Sequence, residues 1–265
     1  MINIRNLKSK VYKDAYDVVI LAGQSNAVGY GKGEVDFEPD ERIKELFRNE
    51  RFNTKRNPSL PLGQYVFKTA GLRPHKMSGF YLFFGKRYLK EILRPGRKLL
   101  FVRAAVGGTG FSDGGWGRKD YLYLNAVGMA KRIKLGNPDN KIVAILWHQG
   151  ETDVINSVTK EYYKENFASL IRGIRFELNM PYVPFIAGDM VEEWYTQQEN
   201  AENVREAVKE VINENDYCGF VSSHGLCGNG GEDIIHFSGK SNEILGERYF
   251  EEFKRIICLL YTSDA

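Results

Sequence analysis

Three residues of the types that carry out acyl transfer stand in two loops of this sequence. Ser25 follows the apolar run VVILAG in the stretch GQSNAVG, and His236 follows Asp233 by three residues in the stretch DIIHFSG. A serine hydroxyl is a weak nucleophile unless a base takes its proton, and the base needs an acid that orients it. A three-residue spacing in a turn or helical start places two side chains on one side. We therefore expect Ser25 to be the nucleophile, His236 the base and Asp233 the acid.

The same chemistry needs hydrogen-bond donors for the oxygen atom that becomes negative. Ser25 lies at a predicted strand-to-helix turn, where its backbone N–H is unpaired. The stretch VGGTG offers the N–H of Gly108 or of Gly107, and glycine lets the backbone approach a substrate closely. The stretch WHQGETD offers the side-chain amide of Gln149. These groups form the predicted oxyanion hole.

Each motif also has a simpler interpretation. A serine at a strand-to-helix turn is commonly a helix cap. Among the other histidines, His75 and His224 have no acid three residues before them, and we interpret His148 as lining or supporting the site. The glycines of VGGTG are not followed by the Lys-Ser or Lys-Thr pair of a phosphate loop.

Two carboxylates in the stretch WHQGETD, Glu151 and Asp153, raise the question of a cation. Asp153 is better explained as a cap or brace of its own loop. We therefore expect neither a metal nor a cofactor.

The elements that position these loops follow from short apolar runs that alternate with longer amphipathic runs. This alternation predicts an α/β fold, a three-layer sandwich in which a five-stranded parallel sheet is covered by helices on both faces. The predicted strands are 17–22, 98–105, 141–147, 182–187 and 217–222. The predicted helices are 79–93, 121–133, 159–178, 200–213 and 238–253. The carboxyl ends of parallel strands share one edge of a sheet, so loops that are distant in sequence can meet there.

The segment 32–78 departs from this alternation. It is polar, contains four prolines and has one short helical pattern at 41–47. We predict an insertion at the rim of the cleft beyond the strand ends, within a single domain of residues 1–257. The last eight residues, CLLYTSDA, resemble translated sequencing-adapter read-through, so we expect 258–265 not to be native.

Composition excludes several classes of function. A net charge of +3 over 265 residues, with scattered Lys and Arg, gives no case for a nucleic-acid partner. The longest apolar runs are far shorter than the roughly 18 to 20 residues that span a bilayer, so no membrane partner is expected. The first 17 residues lack the apolar core of a secretory signal, which favours an intracellular protein or one whose leader has been removed. Nothing in the composition decides the oligomeric state.

The three cysteines, Cys218, Cys227 and Cys258, match neither a metal-ligand spacing nor an even disulfide framework. We expect free thiols, with a Cys218–Cys227 bridge as the alternative in an exported protein.

The stretches GQSNA, GGT, WHQGETD and DIIHFSG, in this order, resemble the SGNH (GDSL-like) hydrolases, which have a flavodoxin-like fold. More narrowly, they are similar to the sialate O-acetylesterase-related domain of the sixth carbohydrate-esterase family, which includes acetylxylan esterases. The resemblance implies the roles given above to Ser25, His236 and Asp233. It also implies that Gln149 takes the oxyanion role that asparagine fills in the wider superfamily. Glu151 becomes a second or alternative partner for His236.

The reaction that this resemblance implies is removal of O-acetyl groups from a carbohydrate, either an acetylated glycan or sialic acid, through an acyl-enzyme. The alternatives are an SGNH lipase or thioesterase acting on acyl chains, and a carbohydrate-binding module without turnover. Trp116 is the expected cleft wall, because an aromatic face covers the apolar face of a sugar ring. Specificity is expected from segments 32–78 and 111–120. The residues predicted to contact substrate are Gln24, Asn26, Gly107, Trp116 and His148.

Overall fold

The computed structural model describes residues 13–48 and 65–263, with side chains described as far as residue 260. Seven strands alternate with helices in this part of the chain. The strands are β1 Ala15–Gly23, β2 Ile43–Arg48, β3 Tyr65–Thr69, β4 Arg97–Arg103, β5 Lys141–His148, β6 Phe185–Gly188 and β7 Cys218–Val221. The helices are α1 Ser25–Val28, α2 Phe80–Glu91, α3 Tyr121–Gly136, α4 Glu151–Ile155, α5 Lys160–Leu178, α6 Glu192–Tyr195, α7 Ala201–Asn213 and α8 Gly239–Ser263.

The strands form one mixed sheet in the order β3-β2-β4-β1-β5-β6-β7. Six of them run parallel, and β3 pairs antiparallel with β2 at one edge. The α/β prediction is confirmed, and the five predicted strands are β1, β4, β5, β6 and β7 within a few residues. The prediction of a five-stranded parallel sheet is wrong, because β2 and β3 extend it to seven strands and make it mixed.

Both missed strands involve the segment that was interpreted as an insertion. The pattern at 41–47 suggested a helix because Ile43, Leu46 and Phe47 are spaced by three and four residues. In the structure Ile43–Arg48 is a strand that pairs with β4 on one side and with β3 on the other. Backbone pairing with two neighbours outweighs a weak local helical preference. The tertiary environment therefore decided this element.

The centre of the sheet is covered on both faces. In β1, eight of nine residues are buried, although successive side chains point to opposite faces. Two groups of helices provide the cover. Helix α2 packs on α8, while α5 packs on both α3 and α7.

The direction in which strands are added reverses at β1. Strands β2 to β4 lie on one side of β1, and β5 to β7 lie on the other. Open α/β sheets bind ligands at such a reversal, beyond the carboxyl ends of the strands. The loops after β1, β4, β5 and β7, which carry the predicted site residues, all open at this edge.

Two predictions about the whole chain can be compared with the described residues. No helix among them is long and apolar enough to span a bilayer. Cys218, Cys227 and Cys258 are free thiols, so the Cys218–Cys227 bridge is absent. Helix α8 continues through Ser263, which does not test whether residues 258–265 are native.

Candidate active site

Ser25 is the first residue of α1, directly beyond the end of β1. The turn between them depends on Gly23, which has φ of +121° and lies so close to the His148 carbonyl that a Cβ atom would collide with it. The Gln24 N–H donates to this same carbonyl at 2.9 Å. Strands β1 and β5 thereby hold Ser25 at the carboxyl edge of the sheet, and its side chain is only slightly exposed.

His236 and Asp233 lie in the loop between β7 and α8, and they are in contact. The His236 Nδ1 atom is 2.6 Å from Asp233 Oδ1. The Asn229 N–H donates to the His236 carbonyl at 2.8 Å and to the Asp233 carbonyl at 3.1 Å, which closes the loop into a tight turn. An ionised carboxylate only accepts hydrogen bonds, so the His236 proton belongs on Nδ1 and Nε2 is left as the basic nitrogen.

The second oxygen of Asp233 accepts two further hydrogen bonds. Lys32 Nζ lies 2.7 Å from Oδ2 and Asn229 Nδ2 lies 2.9 Å from it. Partial burial raises the pKa of Asp233, but the hydrogen bonds from Lys32, Asn229 and His236 outweigh burial, and the net pKa is lowered. Asp233 is therefore a carboxylate over the neutral and mildly acid range.

Asn26 joins the Ser25 turn to the His236 loop. Its side-chain amide donates to the Ile235 carbonyl at 3.0 Å, and its side-chain oxygen accepts from the Phe237 N–H at 3.1 Å. The residue after Ser25 is thus bonded to the neighbours of His236 on both sides. No hydrogen bond joins the Ser25 hydroxyl to His236 among the described residues. Such bonds are commonly long in free enzymes.

Glu151, the alternative acid, lies elsewhere. It is fully buried at the start of α4, and its Oε1 accepts from Asn26 Nδ2 at 2.6 Å. Burial raises the pKa of Glu151 to about 7, the neighbouring Asp189 adds to this, and the hydrogen bond from Asn26 opposes it. The structure therefore joins Asp233, rather than Glu151, to the histidine.

The glycine loop after β4 passes beside Ser25. A Cβ atom on Gly107 would lie 3.7 Å from the Cβ of Ser25, whereas Gly108 is exposed with φ of +64°. Buried Asp153 holds this loop, because its carboxylate accepts from the N–H groups of Phe111 and Ser112 at 3.0 and 2.8 Å. Asp153 was predicted to cap or brace its own loop, and in the structure its carboxylate bonds the neighbouring loop after β4 instead.

Gln149 is not presented to a substrate in this structure. Its Nε2 donates to Asp153 Oδ2 at 2.8 Å and to Gln24 Oε1 at 3.2 Å, so both amide hydrogens are engaged. Its Oε1 accepts from the Tyr163 hydroxyl at 2.9 Å. The side chain braces the loops around the site, and the expected oxyanion role is not met in this arrangement.

Several predicted substrate contacts are corrected by burial. Trp116 is fully buried, packs edge-on against Trp147 and donates its indole N–H to Thr109 Oγ1, so the prediction of a cleft wall is wrong. His148 is also fully buried beside Tyr249, and burial lowers its pKa to about 3. It supports the site from below as a neutral ring.

Gln24 and Asn26 are at most 2% exposed. Gln24 Oε1 accepts from the Thr152 N–H, and the Asn26 side chain is bonded at both ends within the protein. They hold loops together instead of facing a ligand. Of the five predicted substrate contacts, Gly107 alone is partly exposed.

Sequence reasoning missed four side chains on and around the histidine and its acid. Lys32 and Asn229 bond Asp233, and the Tyr30 ring lies against the His236 ring with centroids 5.3 Å apart. The Arg73 guanidinium covers the Tyr30 ring at 4.5 Å. Asn229 stands four residues before Asp233, a spacing that could have identified it, whereas Lys32, Tyr30 and Arg73 come from distant segments.

No group of three or more His, Cys, Asp or Glu side chains suited to a metal ion occurs in residues 13–48 and 65–263. Two carboxylates near the site, Asp233 and Asp153, are bonded to protein partners. Asp233 is bonded to Lys32 and Asn229, and Asp153 to backbone N–H groups.

Two curated proteins are similar in sequence. A probable carbohydrate esterase of Arabidopsis thaliana is 28% identical over 185 residues, which are 64% of this chain and 66% of that protein. A probable 9-O-acetyl-N-acetylneuraminic acid deacetylase of Escherichia coli K12 is 25% identical over 232 residues, which are 70% of this chain and 69% of that protein. The matches thus span about two thirds of these relatives.

Solved structures agree on the fold, and a family model identifies the family. The crystal structure of NanS superposes with a TM-score of 0.73 at 22% identity, covering 92% of this chain and 98% of that one. A carbohydrate acetylesterase from Xanthomonas citri superposes with a TM-score of 0.64 at 17% identity, covering 91% of this chain and 56% of that one. The family model described as carbohydrate esterase, sialic acid-specific acetylesterase matches residues 15–255. The chain therefore belongs to this family of carbohydrate esterases.

Proposed function

We propose that this protein is a serine esterase that removes O-acetyl groups from a carbohydrate, with Ser25, His236 and Asp233 as its catalytic residues. The observation that carries the proposal is the 2.6 Å contact between His236 and Asp233, in a loop that Asn26 ties to the Ser25 turn. Membership of a carbohydrate esterase family supports the reaction class.

The geometry suggests how each residue acts. Asp233 accepts a hydrogen bond from the protonated Nδ1 of His236. His236 Nε2 therefore accepts the hydroxyl proton of Ser25 as Ser25 Oγ attacks the acetyl carbonyl. The same proton passes to the departing sugar oxygen, and an acetyl ester forms on Ser25. Water, deprotonated by His236, then releases acetate.

Backbone N–H groups are the donors that we propose for the oxyanion. Ser25 begins α1, so its N–H has no acceptor within the helix. Gly107 or Gly108 supplies a second N–H from the loop beside Ser25. We do not propose Gln149 as an oxyanion donor, because both of its amide hydrogens are bonded to other side chains.

The test compares wild type with Ser25→Ala, and with Ser222→Ala as a control in an exposed serine after β7. Acetate release is measured from 4-nitrophenyl acetate, O-acetylated sialic acid and acetylated xylan. We expect Ser25→Ala to lower kcat at least about 10³-fold and Ser222→Ala to leave it unchanged. Equal release from Ser25→Ala and wild type would overturn the nucleophile.

The preferred acyl-chain length distinguishes a deacetylase from a lipase or thioesterase. A deacetylase should reject acyl groups beyond propionyl, since a small pocket excludes added methylenes. Preference for long acyl esters would instead indicate a lipase or thioesterase. Glycan binding without hydrolysis would indicate a binding module.

A further inference from the structure

Glu151 is a buried carboxylate that the proposed reaction does not use. It is fully buried, and only one of its oxygens is bonded among the described residues, Oε1 to Asn26. Glu151 makes no hydrogen bond to His236 among the described residues. The Nδ1 atom of that histidine is bonded to Asp233 instead. Burying a carboxylate costs free energy, so its presence calls for a structural reason.

The groups around Glu151 do not neutralise it. Asp189, at the end of β6, is itself bound by Arg205 of α7 at 2.8 Å. His148 of β5 is a neutral ring whose Nδ1 lies 3.0 Å from the Tyr249 hydroxyl of α8. These neighbours offer Glu151 no cation of its own. The backbone N–H groups of Gly150 and of Glu151 itself favour its charged form, and Asn26 is the side chain that bonds it.

Asn26 uses every polar position of its side chain. One amide hydrogen goes to Glu151 Oε1 and the other to the Ile235 carbonyl, while the side-chain oxygen accepts from the Phe237 N–H. The Oε1 atom of Glu151 accepts from this amide hydrogen, so it fixes which end of the amide faces it. The opposite end is then oriented correctly for the two residues that flank His236.

On the basis of the proposed function, we propose that Glu151 is a positioning residue, which sets the place of His236 through Asn26. In this role an acceptor at Oε1 is needed and the negative charge is not. The carboxylate that orients the imidazole tautomer is Asp233. This distinction separates two roles that the sequence left open.

The test compares Glu151→Gln, Glu151→Ala and Asp233→Asn on 4-nitrophenyl acetate, with Ile155→Ala as a control on the exposed side of α4. Gln keeps an acceptor for Asn26, so kcat should stay within about tenfold of wild type. Ala leaves the Asn26 amide unpaired and should lower kcat about 10² to 10³-fold with little change in KM. Asp233→Asn should lower kcat about 10⁴-fold.

A double-mutant cycle adds a second measurement. If Glu151 acts through Asn26, the Glu151→Ala/Asn26→Ala double variant should lose little more kcat than either single variant. Independent, additive losses would overturn the proposal. So would a Glu151→Gln variant as inactive as Asp233→Asn, because charge would then be the property that matters.

The design does not depend on folding of the alanine variant. Thermal unfolding confirms the fold of each variant, and Glu151→Gln alone decides between acceptor and charge. Failure of the proposed function appears separately, as unchanged turnover in Ser25→Ala.

Discussion

At the residue scale, the site is built from buried polar side chains that hold one another. Asn26, Gln149 and Asp153 each bond to two or more other groups of the protein. Satisfied networks of this kind hold their members rigidly, and a partly satisfied network is costly. The residues that face the substrate are consequently few, and the residues that fix them are many.

Glu151 also makes stability depend on pH. Burial raises its pKa from the ordinary 4.5 to about 7 in the folded chain. The folded state holds this proton more tightly than the unfolded state, so the stabilising contribution is complete below about pH 4.5 and is lost as pH rises through about 7. The free energy of unfolding of Glu151→Gln, relative to that of wild type, should rise by on the order of 3 kcal/mol between about pH 5 and pH 8.

Urea unfolding of wild type and Glu151→Gln at these two pH values measures this gain. Glu165→Gln, in an exposed glutamate of α5, is the matched control. A Glu151→Gln variant whose stability follows wild type at both pH values would contradict the expectation.

At the element scale, the loop after β4 depends on one carboxylate. Asp153→Ala leaves the N–H groups of Phe111 and Ser112 and the Gln149 amide without their acceptor. We expect a loss of about 2 to 4 kcal/mol in the free energy of unfolding and a fall in kcat, because the loop also carries Gly107 and Gly108. Urea unfolding and 4-nitrophenyl acetate turnover measure the two effects.

The control for this loop is Asn156→Ala. Asn156 bonds to the Ser112 hydroxyl in an exposed position, so its loss should cost less than about 1 kcal/mol. Equal effects of the two variants would show that Asp153 has no special role.

The turn after β1 gives a second prediction at this scale. Gly23→Ala combines a positive φ with a collision against the His148 carbonyl, and should cost at least about 3 kcal/mol. Gly96→Ala also has a positive φ, of +80°, but its Cβ would meet open space, so we expect about 1 to 2 kcal/mol. The shift in the urea midpoint of each variant measures these losses. If Gly23→Ala were as stable as Gly96→Ala, the contact with the His148 carbonyl would not contribute to the cost.

At the scale of the whole molecule, the segment predicted to set specificity borders a cavity. Residues 33–36 together with Leu72, His75 and Lys76 line about 470 Å³. Two residues next in sequence to the cavity lining contact the site. Lys32 bonds Asp233, and Arg73 covers the Tyr30 ring beside His236. Apolar and charged groups together suit a hydroxylated sugar ring.

If the sugar of the substrate occupies this cavity, substitution of a lining residue should affect the kinetics with acetylated glycans and not those with 4-nitrophenyl acetate. Lys76→Ala should raise KM for an acetylated glycan about three- to tenfold and leave kcat/KM for 4-nitrophenyl acetate within about twofold. Arg172→Ala, which removes the charge of an exposed arginine on α5, should change neither value. An unchanged glycan KM in Lys76→Ala would place the sugar elsewhere.

Much of this protein could be predicted from its sequence. The five strands that were predicted have apolar runs bounded by glycines and polar loops, so each run indicates a strand before its partners are known. The contact between Asp233 and His236 is local, three residues apart, so the spacing alone predicted it. The four motifs also predicted the carbohydrate esterase family, which the family model confirms.

Only the tertiary structure decided the rest, because it depends on contacts between distant segments. Strand β2 forms by pairing with β4 and β3, although the spacing of its own residues suggested a helix. Trp116 is buried because its loop packs against Trp147, although the loop is polar and rich in glycine. Glu151 stood beside Asp233 as an equal candidate in sequence, and the fold separated them by giving Glu151 to Asn26 and Asp233 to His236. A sequence motif names the residue types at a site, whereas the partner that each one bonds is set by the packing of the whole chain.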